Sequence, residues 1–156
     1  MATYDVTGPS NAGARPGRFN AGIRTPYLVE NTIDISAINS DAGTADGDII
    51  QCLDIPAETL ILHAGVEVLT ALSSSATIDL GVTGADPDRY VDGDSNATGY
   101  SVLTATARMV SAGADTLDAL IAGAASSAGK IRVFALLCDV SGVDETDRNT
   151  ASQHDG

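Results

Sequence analysis

The sequence predicts an all-β protein, an antiparallel β-sandwich or jelly-roll-like domain that carries an extended N-terminal arm. Three observations lead there. Apolar residues recur at period two in one segment after another, the pattern of a strand with one buried face. Short clusters of Gly, Asp, Ser and Pro separate those segments at hairpin length. No stretch carries a convincing long helical period. Sequential strands joined by short turns imply antiparallel pairing, and about seven or eight of them suit a sandwich.

Residues 1–24 are rich in Gly, Pro, Asn and Ala without an apolar period, and read as the arm. The sandwich domain is expected over 25–140. Its first strand is VENTIDISAI (29–38), with Val29, Ile33, Ile35 and Ala37 on one parity and Pro26 just ahead of it. DAGTADGD (41–48) is a turn cluster that leads into the strand DIIQCLDI (48–55), which Pro56 stops. TLILHAGVEVLT (59–70) places Leu60, Leu62, Ala64, Val66 and Val68 on one face. ATIDLGV (76–82) turns Ile78, Leu80 and Val82 the same way.

DPDRYVDGDSN (86–96) reads as a long acidic loop, with Tyr90 and Val91 as its apolar exception. GYSVLTATARMVS (99–111) is the next strand, alternating Leu103, Ala105, Ala107 and Met109 with polar partners. TLDALIA (116–122) could start a helix, but Gly123, the Ser pair and Gly129 favour strand, turn, strand. GKIRVFALLCDV (129–140), near-continuously apolar, reads as a central strand covered on both faces. Residues 141–156 are polar and read as a flexible C-terminal tail.

Charge narrows the function classes. The 156 residues carry a net charge of −13. Residues 1–24 hold Arg15, Arg18 and Arg24 against Asp5 alone, so a mildly basic arm precedes a strongly acidic body. Such a body repels nucleic acid and anionic membrane. No apolar run is long enough for a membrane helix, and the N-terminus lacks the apolar stretch of a signal peptide.

Catalytic signatures are missing. There is no GxSxG elbow, HExxH pair or phosphate-binding Gly loop. A His with a Ser or Cys nucleophile is conceivable, His63 with Cys52 for example, and His154 lies near the end. Cys52 and Cys138, each inside an apolar run, read as buried free thiols, although spacing alone leaves a disulfide open.

The acidic loop resembles the start of an EF-hand at Asp92, Asp94 and Asn96. It lacks the Gly at the sixth position (Ala97) and the Glu at the twelfth (Leu103), so it is not one. An irregular calcium site using Asp88, Asp92, Asp94 and Asn96 stays as a candidate beside the plainer reading of a solvated loop. No other metal or cofactor is expected.

One likeness goes beyond composition. A polar Gly/Pro/Arg arm is followed by DGDIIQCLDIPAETLILHAGVEVLT, then ATIDLGVTGADPDRYVDG, then TLDALIAGAASSAGKIRVFALLCDVS. This order, over roughly 45–140, resembles small all-β virion proteins of tailed bacteriophages of the capsid decoration or cement type. The resemblance implies a structural protein without catalytic residues. It also implies extended termini that bind the major capsid protein on the outer capsid surface, commonly as a homotrimer. Arg15, Arg18 and Arg24 are then the capsid-binding candidates. The alternative is a non-catalytic ligand- or receptor-binding sandwich of a phage neck or tail, dependent on calcium at the acidic loop.

Overall fold

The computed structural model describes residues 1–5, 25–82, 84, 86–94, 97–101, 109–111 and 113–140. Among these residues the chain forms ten strands and one short 3-10 turn, Ile35–Ala37. In order they are β1 (Thr3–Asp5), β2 (Tyr27–Asp34), β3 (Asp48–Ile55), β4 (Thr59–Thr70), β5 (Thr77–Val82), β6 (Asp86–Asp94), β7 (Gly99–Ser101), β8 (Met109–Ser111), β9 (Asp115–Ala122) and β10 (Lys130–Asp139). One sheet runs β1-β3-β9-β5-β6, and the other runs β2-β10-β4-β7 with β8 also on β4. All pairings are antiparallel except β1 with β3. The expected all-β sandwich is what forms.

The two sheets share one aliphatic core. Ile50, Ile78, Leu80, Leu117, Ala119 and Ile121 face it from the first sheet. Val66, Val68, Ile131, Val133, Ala135 and Leu137 face it from the second. Cys52 and Cys138 are both buried and both free thiols. β3, β4, β5, β9 and β10 fall in the segments read as strands, and the segment 116–122 is strand rather than helix.

Within the strands the chain departs from simple alternation. In β4, Ile61 pairs with Leu137 and His63 with Leu136, so Leu62 is an extra, bulged residue. The bulge switches parity. Ile61 is buried ahead of it and Ala64, Val66 and Val68 after it, while Leu60 and Leu62, expected on the core face, are only half-buried. Cys52 is a similar extra residue in β3, between the pairs Gln51 with Asp118 and Leu53 with Leu117.

Other expectations are corrected by tertiary pairing. β2 ends at Asp34, whose carboxylate caps the 3-10 turn by accepting from the Ser36 N–H, and Ala37 is exposed. The acidic stretch 86–94 is not a loop but an edge strand on β5, and it buries Tyr90 and Val91. β10 does lie centrally between β2 and β4, yet its outer side chains Arg132, Phe134 and Leu136 are half-exposed rather than covered. Of the strand expected over 99–111, the two ends are described, as β7 and β8, both antiparallel to β4. Leu103, Ala105 and Ala107 lie outside the described residues.

The β9–β10 turn is knitted to its neighbours. Thr44 and Ser126 exchange backbone hydrogen bonds of 2.8 and 2.9 Å. The Ser73 hydroxyl bonds those of Ser126 and Ser127 at 3.3 Å each. Gly43 lies against this seam with φ +79°, where a Cβ would collide with the Ser126 carbonyl. A second close approach occurs at Gly81, where a Cβ would run into the backbone of Asp86 and Pro87 as β6 folds across β5.

Two substitutions test this packing. Val66 is fully buried, so Val66→Asp would place an unpaired charge in the core. It is expected to abolish soluble expression, and a soluble, well-folded variant would refute the assigned parity. Gly81→Ala is expected to cost about 2–3 kcal/mol, because the opposing atoms are backbone and cannot swing away. A denaturant midpoint equal to wild type would show that β6 does not cross there.

Candidate interaction surfaces

Three features stand out on the described surface: a clamp at the N-terminus, the acidic edge strand β6, and the outer face of the second sheet. The clamp begins in the turn 41–48, whose last residue, Asp48, opens β3 with its side chain only 1% exposed. One carboxylate oxygen accepts the Ala45 N–H at 2.8 Å and the other accepts the Ala2 N–H at 2.6 Å. The Ala2 carbonyl accepts the Ile49 N–H at 2.9 Å. From there Thr3, Tyr4 and Asp5 run parallel to Ile49, Ile50 and Gln51.

Tyr4 packs against the core and its hydroxyl reaches the same carboxylate. Burial pushes the Asp48 carboxyl up, but the Ala45 and Ala2 N–H groups and the Tyr4 hydroxyl outweigh it and hold the acid below its usual range. Tyr4 titrates above its usual value in turn, through desolvation and the adjacent Asp48 charge.

Thr3–Asp5 of the expected arm therefore belong to the sheet. Between β1 and β2, the edge strands of the two sheets, lies a cleft of about 470 Å³. Thr3 and Tyr4 line one side, and Asn31, Thr32, Ile33 and Asp34 the other. Asn31 ties the two layers together by donating to the Cys52 carbonyl at 3.0 Å.

On β6 one pair of acids, Asp86 and Asp88, is in contact. Asp86 is pushed up by its hydrogen bond to the Asp88 carboxyl and by desolvation, and Arg89, 3.4 Å away, offsets part of this. Gly93, at φ +64°, donates its N–H to the Asp79 carboxylate at 2.6 Å. Asp88, Asp92 and Asp94, the expected calcium ligands, all lie along this edge, while Asn96 lies outside the described residues. Among the described residues no group of three or more His, Cys, Asp or Glu side chains could hold a metal ion.

The outer face of the second sheet is divided. At one end Lys130 pairs with Asp34 at 3.4 Å, and Arg132 bridges Glu67 at 2.6 Å and Glu30 at 3.6 Å. These are cross-strand pairs on the central strand β10. Toward the other end, Leu136 stands between Leu28, which is 62% exposed, and His63, which is exposed. His63 and Cys52 do not form a catalytic pair. Cys52 is sealed in the core, its thiol donates to the Ile50 carbonyl, and burial drives its pKa far up. Arg15, Arg18, Arg24 and His154 lie outside the described residues.

The clamp is what sequence reasoning missed. Asp48 stood among several turn acids, and nothing in its spacing set it apart. The one available signal was TYD, two strand-forming residues and an acid, which is too short to show a period.

No protein-family model and no curated protein matches this sequence. Two chains from solved structures share its fold. One belongs to the "Acidic stable capsid structure of Helicobacter pylori bacteriophage KHP30", at TM-score 0.57 and 11% identity, covering 76% of this chain and 95% of that one. The other belongs to the "Capsid of Ralstonia phage GP4", at TM-score 0.58 and 18% identity, covering 88% of this chain and 99% of that one. At such identities the likeness is one of fold.

The clamp has a definite pH dependence. Asp48 titrates lower in the folded chain than unfolded, so its contribution is fully present above about 3.9, the unfolded value, and is lost as pH falls through the lower folded pKa. Amide exchange at Ile49, followed by NMR, should stay protected to about pH 4 and lose protection below it. Loss of protection already at pH 6 would contradict the assignment.

Proposed function

We propose that this protein is a decoration, or cement, protein that binds the outer surface of a phage capsid and stabilises its subunit junctions. The observation that carries the reading is the fold. Its sandwich superposes on nearly the whole of two chains taken from phage capsid structures, so the likeness is not to a fragment of something larger. Charge supports an outer position, because a body with 20 acids against 5 bases over residues 25–156 would be repelled by packaged DNA. The partner is the major capsid protein. A trimer is the proposed state, since a closed ring about a symmetry axis can cover exposed strand edges such as those of β2 and β6. No step of this function needs a catalytic residue.

The arginines of residues 6–24 are proposed to lie on an acidic capsid surface. Deleting the whole arm would also remove β1, so substitution is the cleaner test. Arg15→Ala, Arg18→Ala and Arg24→Ala together should leave melting unchanged. They should weaken cosedimentation with capsids lacking this protein, and flatten the salt dependence of binding, since screening acts over about 8 Å at physiological ionic strength. Wild-type protein should also restore heat resistance to those capsids. Undiminished binding by the triple variant would move the contact to the sandwich. Absence of any binding by wild type would remove the cement reading. Calcium-dependent attachment to host cells, lost on chelation, would instead favour a receptor-binding appendage using the acids of β6.

A further inference from the structure

We propose that the outer face of the second sheet is a contact between two copies of this chain, in which the face packs on itself about a two-fold axis. Apart from Met1, the large apolar side chains left exposed among the described residues are Leu28, at 62%, and Leu69, at 40%. Both belong to this face. Leu28 is on β2, level with Leu136 of β10. In β4, Val66 and Val68 point into the core, so Leu69 points out, beside Thr70, which pairs with Lys130 at the other end of β10. The two leucines thus mark diagonally opposite corners.

That arrangement is self-complementary. A copy turned over about an axis lying in the face brings the Leu28 corner of each chain onto the Leu69 corner of the other. Near the middle of the face Arg132 stands one step along β10 from Phe134, which pairs with Glu30. The same turn brings Arg132 of each chain over Glu30 of the other. Each contact is then made twice, as an isologous interface requires.

Charge also selects a second copy for this face. β3, β5 and β9 of the first sheet carry no Lys or Arg, and β6 sets four Asp against Arg89 alone. Copies of so acidic a chain repel each other through those surfaces. The outer face of the second sheet instead sets Lys130 and Arg132 among Asp34, Glu30 and Glu67. Charge there is nearly balanced, so two copies can approach, and Arg132 can be shared between acids of its own chain and of the other. This contact is separate from the strand-edge contacts proposed for the trimer, and its test needs no capsid.

The test is a pair of cysteines, Leu28→Cys with Leu69→Cys, oxidised in the purified full chain. Within one chain these positions cannot be bridged, because the length of β10 from Lys130 to Leu136 separates their levels, roughly 20 Å at strand rise. Cys52 and Cys138 are buried and stay out of the reaction. A disulfide joining position 28 of one chain to position 69 of another is expected in peptide mapping, with each single variant left largely unlinked. Absence of that link, or equal linking by a single variant, overturns the proposal. Leu28→Glu, at an exposed position, should leave melting unchanged. It should halve the number of chains per assembly in sedimentation, whatever the strand edges contribute, since a buried contact rejects an unpaired charge. Assemblies equal to wild type overturn the proposal. So does a variant that assembles normally but no longer cosediments with capsids, which would give this face to the capsid.

Discussion

Between the two sheets lies a layer of Ile, Leu, Val and Ala, with Tyr90 as the one buried aromatic among the described residues, and the register of β10 against β2 and β4 keeps that layer intact. A shift of one residue along a strand would turn every core side chain outward. Large aromatic rings are scarce in this layer, so the fit depends on many small aliphatic contacts that must all hold together. Bulges at Cys52 and Leu62 let β3 and β4 stay paired with their neighbours while keeping the right side chains inside. Gly81 serves the same end by letting the β6 backbone close over β5 where a side chain would hold it off.

That constraint decides what the surface can be. With the inner faces given over to apolar packing, the charges fall on outer faces, turns and edges. Where they lie close to the backbone they are used structurally: Asp34, Asp46, Asp48 and Asp79 each accept backbone N–H groups. A chain rich in aspartate can thus be strongly acidic and still pin its turns. The edge of β3 is treated differently. It is covered by β1, which is held by backbone pairing and by a carboxylate at the point where β3 begins. Three residues make a weak strand by themselves, so the polar clamp supplies what the short ladder lacks.

Much of the fold was legible because strands with one buried face must alternate. β5 announces itself in that way, while β3, β9 and β10 show as short apolar runs bounded by Pro, Gly and Ser. The pattern fails where it is blind. In TLILHAGVEVLT both parities are apolar ahead of His63, so an extra residue at Leu62 leaves no trace in the sequence. DPDRYVDGD has the composition of a turn and becomes a strand only because β5 offers it a partner and the core accepts Tyr90 and Val91, a tertiary effect that local propensity does not carry. β1 is shorter than one period can reveal. Asp48 looks like Asp41 and Asp46 until the chain end is brought to it from 46 residues away.

The proposed place on the capsid exterior is the central claim. The most direct measurement is a cryo-EM difference map between capsids with and without the protein. The account predicts added density on the outer surface, over junctions between capsid subunits, into which the two-sheet sandwich fits. Added density on the inner wall beside the DNA, or at the tail alone, would contradict it.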